Sequence, residues 1–397
     1  MKKIGLLLRT MNGGGAERVA SHLTHILGKS YDVHLILFED TYMEYECAGT
    51  LHNLNIPAVP GGVLTKLGLL RKRIARLKHL VRQEKLDCLI SFLDSPNVVN
   101  LLTRTPGCRK VVSIRNYNAP GSSLRSKLTD GLMKLLYKGA DRIVPVSQVI
   151  AQLFHSHYGI PQEKLRVIYN PYDFDTMTQK AEEALTPEEQ AFYGENFNFI
   201  NVGRVMPQKG IWHLLKAFSL VSAQAPQARL VLVGEDYTKG KLLRLIEELG
   251  MGDKVLLTGR TRNPYKYLRA ADCYVLSSLF EGFPNAMVEA MACGCAVLAT
   301  DCKSGPREIL YAAPRLELTV TEVTEADYGI LVPPLETAED WSAAAPTQGE
   351  KLLAEAMLKA CTQAADTKVW AEKAQLRSRA FDFETAHRAF RSVIEEI

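Results

Sequence analysis

Long apolar runs are missing from this chain of 397 residues. No stretch approaches the roughly 20 residues needed to span a bilayer. The apolar run IGLLL that follows Lys2 and Lys3 stops at Arg9, short of the roughly 7 to 15 residues of an export signal. The expectation is a protein made and kept in the cytoplasm. Cysteine patterns for metal are missing too. The eight cysteines (Cys47, Cys88, Cys108, Cys273, Cys293, Cys295, Cys302 and Cys361) contain no CxxC set that pairs with another or with a histidine pair, which argues against zinc. Most lie in apolar runs such as DCLISFL and DCYVLSS, where a reduced thiol packs as a small hydrophobe. Neither a G-x-G-x-x-G fingerprint nor the G-K-[ST] of a P-loop is found.

What is present suits a globular protein. Apolar residues make up 47% and charged residues 23%, so a sizeable core is expected and wholesale disorder is not. The length fits two domains of roughly 150 to 200 residues each. Charge divides the same way. Residues 1–170 carry 24 Lys and Arg against 12 Asp and Glu, and residues 171–397 carry 24 against 32. A basic first half implies an anionic partner there.

Short runs of Val, Ile and Leu alternate with helix-period segments along the whole chain. Near-continuous apolar strands separated by helices imply parallel sheets covered on both faces. The first half offers KKIGLLL, DVHLILF, DCLISF, KVVSI, RIVPVS and LRVIYN; the second offers FNFINVG, RLVLVG, KVLLTG, CYVLSS, AVLAT and GILVP. Six strands in each half make two doubly wound, Rossmann-like domains. The boundaries are placed at 1–170 and 171–378, joined by the polar stretch NPYDFDTMTQKAEEALTPEEQ, and 379–397 form an amphipathic helix that could cross back to the first domain. Two such domains facing one another leave a cleft at the carboxyl ends of their strands, where ligands of open α/β sheets bind.

Three candidate sites follow. In TMNGGGAERV, Gly13, Gly14 and Gly15 lie between a strand and a helix, where bare backbone can approach a phosphate; a tight turn without a ligand fits equally. Residues 64–85 hold eight Lys and Arg and one acidic residue, with Leu67, Leu70, Ile74, Leu77 and Val81 on one stripe. They read as a solvated helix packed on the sheet, or as a surface built from Arg71, Arg73 and Arg76 that meets anionic lipid or a polyanionic acceptor. In RVMPQKG, Arg204 and Lys209 follow a strand, and Gly210 opens the next helix. Two cations beside a helix N-terminus can neutralise a diphosphate and the charge that develops as it leaves.

FEGFPNAMVEAMACG then puts Glu281 in a loop and Glu289 more than one turn into a helix that begins near Pro284. That spacing addresses two ends of an elongated ligand and suits a glycosidase pair poorly. Asp173 and Asp175 form an Asp-x-Asp in the polar linker, better read as a turn or helix cap than as a metal site.

The ordered set GGGAERV, VGRVMPQKG, LVGEDY and FEGFPNAMVEAMACGCAVLATDCKSGPREIL resembles the GT-B, retaining glycosyltransferases of family 4, the group that builds bacterial surface and lipid-linked glycans. Glu281 and Glu289 match the E-x7-E of that family. The resemblance implies that Glu289 bonds the ribose, that Glu281 faces the donor sugar, and that Arg204 and Lys209 grip the diphosphate. It places the backbone of Phe283, Pro284 and Asn285 on sugar and phosphate, Arg260 beside the base, and Gly14 and Gly15 against the donor from the first domain. Many relatives carry a histidine or an acid pair in a first-domain loop; here SFLDS (Asp94) and SIRNYN (Arg115, Asn116) stand in those loops.

The resulting expectation is an enzyme, a hexosyltransferase that moves a hexose or N-acetylhexosamine from a nucleoside-diphosphate sugar, UDP being the expected nucleotide, to a glycan or lipid-linked acceptor. It needs no cofactor and no metal, binds no nucleic acid, and works in the cytoplasm or at the inner face of the membrane. The alternatives are a GT-B sugar-nucleotide epimerase, a dinucleotide dehydrogenase, which the missing glycine fingerprint disfavours, and a non-catalytic polyanion-binding protein acting through residues 64–85.

Overall fold

The computed structural model describes residues 1–39, 42–117, 124–314 and 316–396. The chain separates into two compact units, Met1–Tyr172 with Phe381–Ile397, and Asp173–Ala380.

In the first unit, β1 (Lys3–Leu8), β2 (Asp32–Leu37), β3 (Thr50–Asn53), β4 (Cys88–Phe92), β5 (Arg109–Ile114) and β6 (Arg142–Pro145) form one sheet in the order β3-β2-β1-β4-β5-β6. All its pairs are parallel. This is the doubly wound order, and the switch point lies between β1 and β4. The central strands are buried almost end to end, as strands covered by helices on both faces must be. One face packs the helix Gly15–Gly28 through Leu23 and Leu27, joined by Phe390, Val393 and Ile394 of the helix Phe383–Glu395. The other face packs Leu77 and Val81 of the helix Val63–Glu84.

Two strand assignments read from the sequence change. LRVIYN forms no strand: it runs beside β6 with an isolated bridge at Leu165 and bonds from Arg166 N–H to Ile143 O and Ile168 N–H to Pro145 O. The sixth strand is β3, TLHN, at the opposite edge. Its residues are exposed or half-buried, so it lacks the apolar pattern that marks the inner strands.

The second unit holds β7 (Phe197–Val202), β8 (Ala228–Val233), β9 (Val255–Gly259), β10 (Cys273–Leu276), β11 (Ala296–Thr300), β12 (Thr324–Ala326) and β13 (Gly329–Val332), in the order β12-β13-β11-β10-β7-β8-β9. Only the three-residue edge strand β12 runs antiparallel. The other six repeat the winding of the first sheet, with β7 and β10 at the switch point. Trp212, Phe218, Leu353 and Met357 lead a core between this sheet and the helices Ile211–Gln224 and Gln348–Thr362.

The polar stretch read as a linker is structured. Asp173 caps the helix Phe174–Ala181, accepting from the Thr176 N–H at 3.1 Å and from its hydroxyl at 2.7 Å. A second helix, Pro187–Tyr193, starts with a capping box between Thr186 and Glu189. Phe174, Met177, Ala181 and Tyr193 are buried, so these helices belong to the core despite their polar composition. Among the described residues, no helix is long and apolar enough to cross a membrane.

Candidate functional site

The site is built where β7 and β10 end side by side. After Val202 the chain passes Arg204 and makes a tight turn at Pro207–Lys209, and Gly210 then opens the helix Ile211–Gln224. Gly210 takes a left-handed φ of 58°, and a Cβ there would collide with the Ser277 carbonyl oxygen. Glycine is thus required by both conformation and space. The two loops are stitched together by Ser277 Oγ donating to Lys209 O at 2.9 Å, the Leu279 N–H to Gln208 O at 2.8 Å, and Gln208 Nε2 to Phe280 O at 2.9 Å.

This stitching brings Lys209 to Glu281. The ammonium donates to Glu281 Oε1 at 2.7 Å, and Ser278 Oγ donates to the same oxygen at 2.7 Å. Glu281 is only 6% exposed. Its backbone is held by the loop after β11: its N–H donates to Lys303 O at 2.6 Å and its carbonyl accepts from the Ser304 N–H at 2.8 Å. A buried carboxylate with an ammonium and a hydroxyl on it is satisfied and fixed in place.

The helix Asn285–Ala292 begins just beyond, with Pro284 at its cap position and Glu289 buried on its inner side. Pro284 has no N–H, so of the three backbone positions expected to bind sugar and phosphate only Phe283 and Asn285 can donate. Tyr274 of β10 reports on both acids. Its phenol is pushed far above the ordinary value, first by burial and then by the fields of Glu281 and Glu289.

Arg204 differs from Lys209. It is exposed and makes no ion pair or side-chain hydrogen bond among the described residues, so its guanidinium brings uncompensated charge to the strand ends. Arg260, also exposed, follows β9 directly. Tyr237 lies within electrostatic reach of both. A hydrogen bond to Glu235 at 2.7 Å raises its phenol, while Arg204 and Arg260 draw it down. The sequence reading passed over Tyr237, although it ends the LVGEDY motif; as an exposed aromatic among two arginines it adds a stacking surface.

In the first unit, Gly14 and Gly15 start the helix Gly15–Gly28, with Gly14 in extended backbone at the cap and only Gly13 of the three left-handed, at a φ of 92°. Of the basic trio, Arg71 and Arg76 are exposed. Arg73 is not a surface residue, which corrects the expectation. It is 6% exposed, its Nε and Nη2 donate to Ile56 O at 3.2 and 2.9 Å, and its Cζ sits 4.2 Å from the centre of the Phe38 ring. Asp94 and Asn116 are exposed after β4 and β5, and Arg115 is buried between them in sequence.

For a metal, the described residues offer one cluster of three, His34, His52 and Glu84. His34 Nδ1 and His52 Nε2 lie 2.8 Å apart, bonded to each other, and the cluster is on β2, β3 and the end of the helix Val63–Glu84 of the first unit.

Family models match both halves of the chain: "Glycosyltransferase Family 4" over residues 13–176 and "Glycosyl transferases group 1" over residues 182–314. An uncharacterised glycosyltransferase of Methanocaldococcus jannaschii is 31% identical over 82% of this chain and 83% of its own. The chain belongs to glycosyltransferase family 4. Another relative of this family 4 enzyme, 33% identical over 78% of the chain and 83% of its own, is the N-acetylgalactosamine-N,N'-diacetylbacillosaminyl-diphospho-undecaprenol 4-alpha-N-acetylgalactosaminyltransferase of Campylobacter jejuni. The crystal structure of HepE from Anabaena, in complex with UDP, superposes with a TM-score of 0.75 over the full length of both chains at 20% identity. The family 4 glycosyltransferase thus has the GT-B class of fold, two Rossmann-like domains, and its E-x7-E glutamates are the buried pair around Tyr274.

Proposed function

We propose that this glycosyltransferase moves a hexose or N-acetylhexosamine from UDP to a lipid-linked glycan acceptor with retention of configuration. The observation that carries the donor half is the Lys209–Glu281 pair fixed beside the free charge of Arg204 at the carboxyl ends of β7 and β10. On this reading the diphosphate lies against Arg204 and Lys209, Glu281 orients the sugar, and Glu289 holds the ribose. As the bond from the anomeric carbon to the β-phosphate oxygen breaks, its electron pair goes to that oxygen, where the two cations stabilise it. The acceptor hydroxyl forms the new bond on the same face, and its proton passes to the departing phosphate. No protein base and no metal is assigned a step.

The acceptor half is supported by the Campylobacter relative, whose name specifies a diphospho-undecaprenol substrate, and by the first unit. Val63, Leu64 and Leu67 are exposed on the first turns of the helix Val63–Glu84, next to Arg71, Lys72 and Arg76. Apolar side chains flanked by cations suit peripheral binding to an anionic membrane. A groove of about 950 Å³ runs beside them, lined by Ile56, Val59, Leu69, Lys72 and Arg76.

The test is a panel of nucleotide sugars and a lipid-diphosphate acceptor. Transfer of label from a UDP-sugar into an organic-soluble product with the donor's anomeric configuration is expected. An epimerised free nucleotide sugar with no new glycosidic bond would overturn the reading.

A further inference from the structure

We propose that Arg115 anchors an anion site in the first unit that takes phosphate or diphosphate oxygens. Arg115 follows β5 directly, at the carboxyl edge of the first sheet, the edge where ligands of doubly wound sheets bind. It is 7% exposed, yet among the described residues no carboxylate pairs with it. Its Nη1 donates to Asn170 Oδ1 at 2.6 Å, while its buried Nε and Nη2 have no hydrogen-bond partner among the described residues.

The pattern of what is used and what is spare matters. Nε and Nη2 form the side-on edge of the guanidinium, whose parallel N–H bonds match two oxygens of a phosphate or carboxylate. Asn170 takes the remaining end and so fixes the rotation of the group. Phe92, the last residue of β4, lies under it, with Arg115 Cζ 5.5 Å from the ring centre. Burial pushes Arg115 down from 12.5 to about 9, so it stays charged at neutral pH. Buried polar groups are almost always bonded, and a buried charge without a counter-ion is costly. Arg73 of the same unit shows the other solution, with its Nε and Nη2 both on a carbonyl oxygen. Arg115 keeps that same edge open, which is the arrangement of a group waiting for an anion.

Which phosphate it takes rests on the function proposed above: the diphosphate of the lipid-linked acceptor or that of the nucleotide donor. The existence of the site does not rest on that reading. The experiment uses the full chain carrying Arg204→Ala, so that the exposed cation of the second unit does not dominate, with and without Arg115→Met. Inorganic pyrophosphate is titrated by calorimetry, and thermal unfolding is followed without ligand.

Arg115→Met is expected to weaken pyrophosphate binding at least tenfold while leaving the ligand-free Tm unchanged or higher, because the unpaired buried charge is gone. A Tm lowered by several degrees with pyrophosphate affinity kept within twofold would show a merely structural arginine and overturn the proposal, as would the absence of pyrophosphate binding before Arg115 is changed. Two further probes separate the sources. If Arg115 serves the acceptor, the methionine variant loses affinity for farnesyl diphosphate and keeps it for UDP; if it serves the donor, UDP affinity falls. Pyrophosphate binding that depends on Arg115 in a protein that transfers no sugar to lipid would leave the site standing and remove the acceptor reading.

Discussion

Lys209 Nζ lies 2.7 Å from Glu281 Oε1, and the two come from loops on neighbouring strands, 72 residues apart in sequence. Each holds the other where neither could stay alone. The Lys209 side chain is 21% exposed and that of Glu281 8%, so the carboxylate depends on the ammonium for its charge balance, whereas Arg204 makes no ion pair among the described residues.

That difference separates two variants. Lys209→Ala should cost activity and also roughly 3–5 kcal/mol of stability, since it strands a buried carboxylate. Arg204→Ala should lower kcat more than tenfold, through a lost charge-assisted contact to the leaving group, with stability changed by no more than about 0.5 kcal/mol. Urea unfolding and initial-rate kinetics on both proteins check this; a destabilised Arg204→Ala or fully active Arg204→Ala contradicts the assignment.

Gly210→Ala should destabilise by roughly 1–3 kcal/mol, because a residue with a Cβ must adopt a left-handed backbone there and push against Ser277 O. Since Gly210 directly follows Lys209, turnover should fall with it. Chemical denaturation measures the first effect and the rate at saturating donor the second.

The basic helix should divide by burial. Arg73→Ala loses two charge-assisted bonds to Ile56 O and the Phe38 ring face and is expected to cost roughly 2–4 kcal/mol. Arg71→Glu with Arg76→Glu should be near neutral for stability and should reduce co-sedimentation with anionic vesicles severalfold. Vesicle binding unchanged by the charge reversal would remove the membrane proposal.

Lys216 and Asp340 give a pH dependence. The Lys216 side chain is 2% exposed, and its ammonium lies 2.6 Å from Asp340 Oδ2. The hydrogen bond from Lys216, helped by Ser342, holds Asp340 well below its ordinary value of 3.8. A carboxylate depressed in the folded state contributes stability that is fully present above the unfolded value and lost as pH falls through the folded one. Stability should therefore drop below about pH 4, and Asp340→Asn should remove part of that drop. About half of Asp340 remains in water, so the step will be small. Thermal melts from pH 6 to pH 2 on both proteins read it.

The inner strands were legible because strands buried on both faces are largely apolar, and β8, β10, β11 and β13 carry that mark. The edge strand β9 was legible from its short apolar run although it is half in solvent, whereas β3 (TLHN) and β12 (TEA) are short and mostly polar and have no such run. The helices around Phe174 and Pro187 were hidden for a related reason: their caps and their few buried residues are spread among charged ones. In the site, loop Glu281 and helical Glu289 could be placed from Pro284 and the apolar period after it.

Sequence alone, then, determined most of the strands, the α/β class and the residue types gathered at the strand ends, because period, turn chemistry and apolar content are local properties. Tertiary structure decided which of those residues meet. It paired Lys209 with Glu281, folded Arg73 inward while leaving Arg71 and Arg76 outside, and buried Arg115 with two of its three guanidinium nitrogens unmet among the described residues. Those outcomes depend on how distant loops and helix faces converge, and on where desolvation makes a partner necessary, and neither is written in the spacing of residues along the chain.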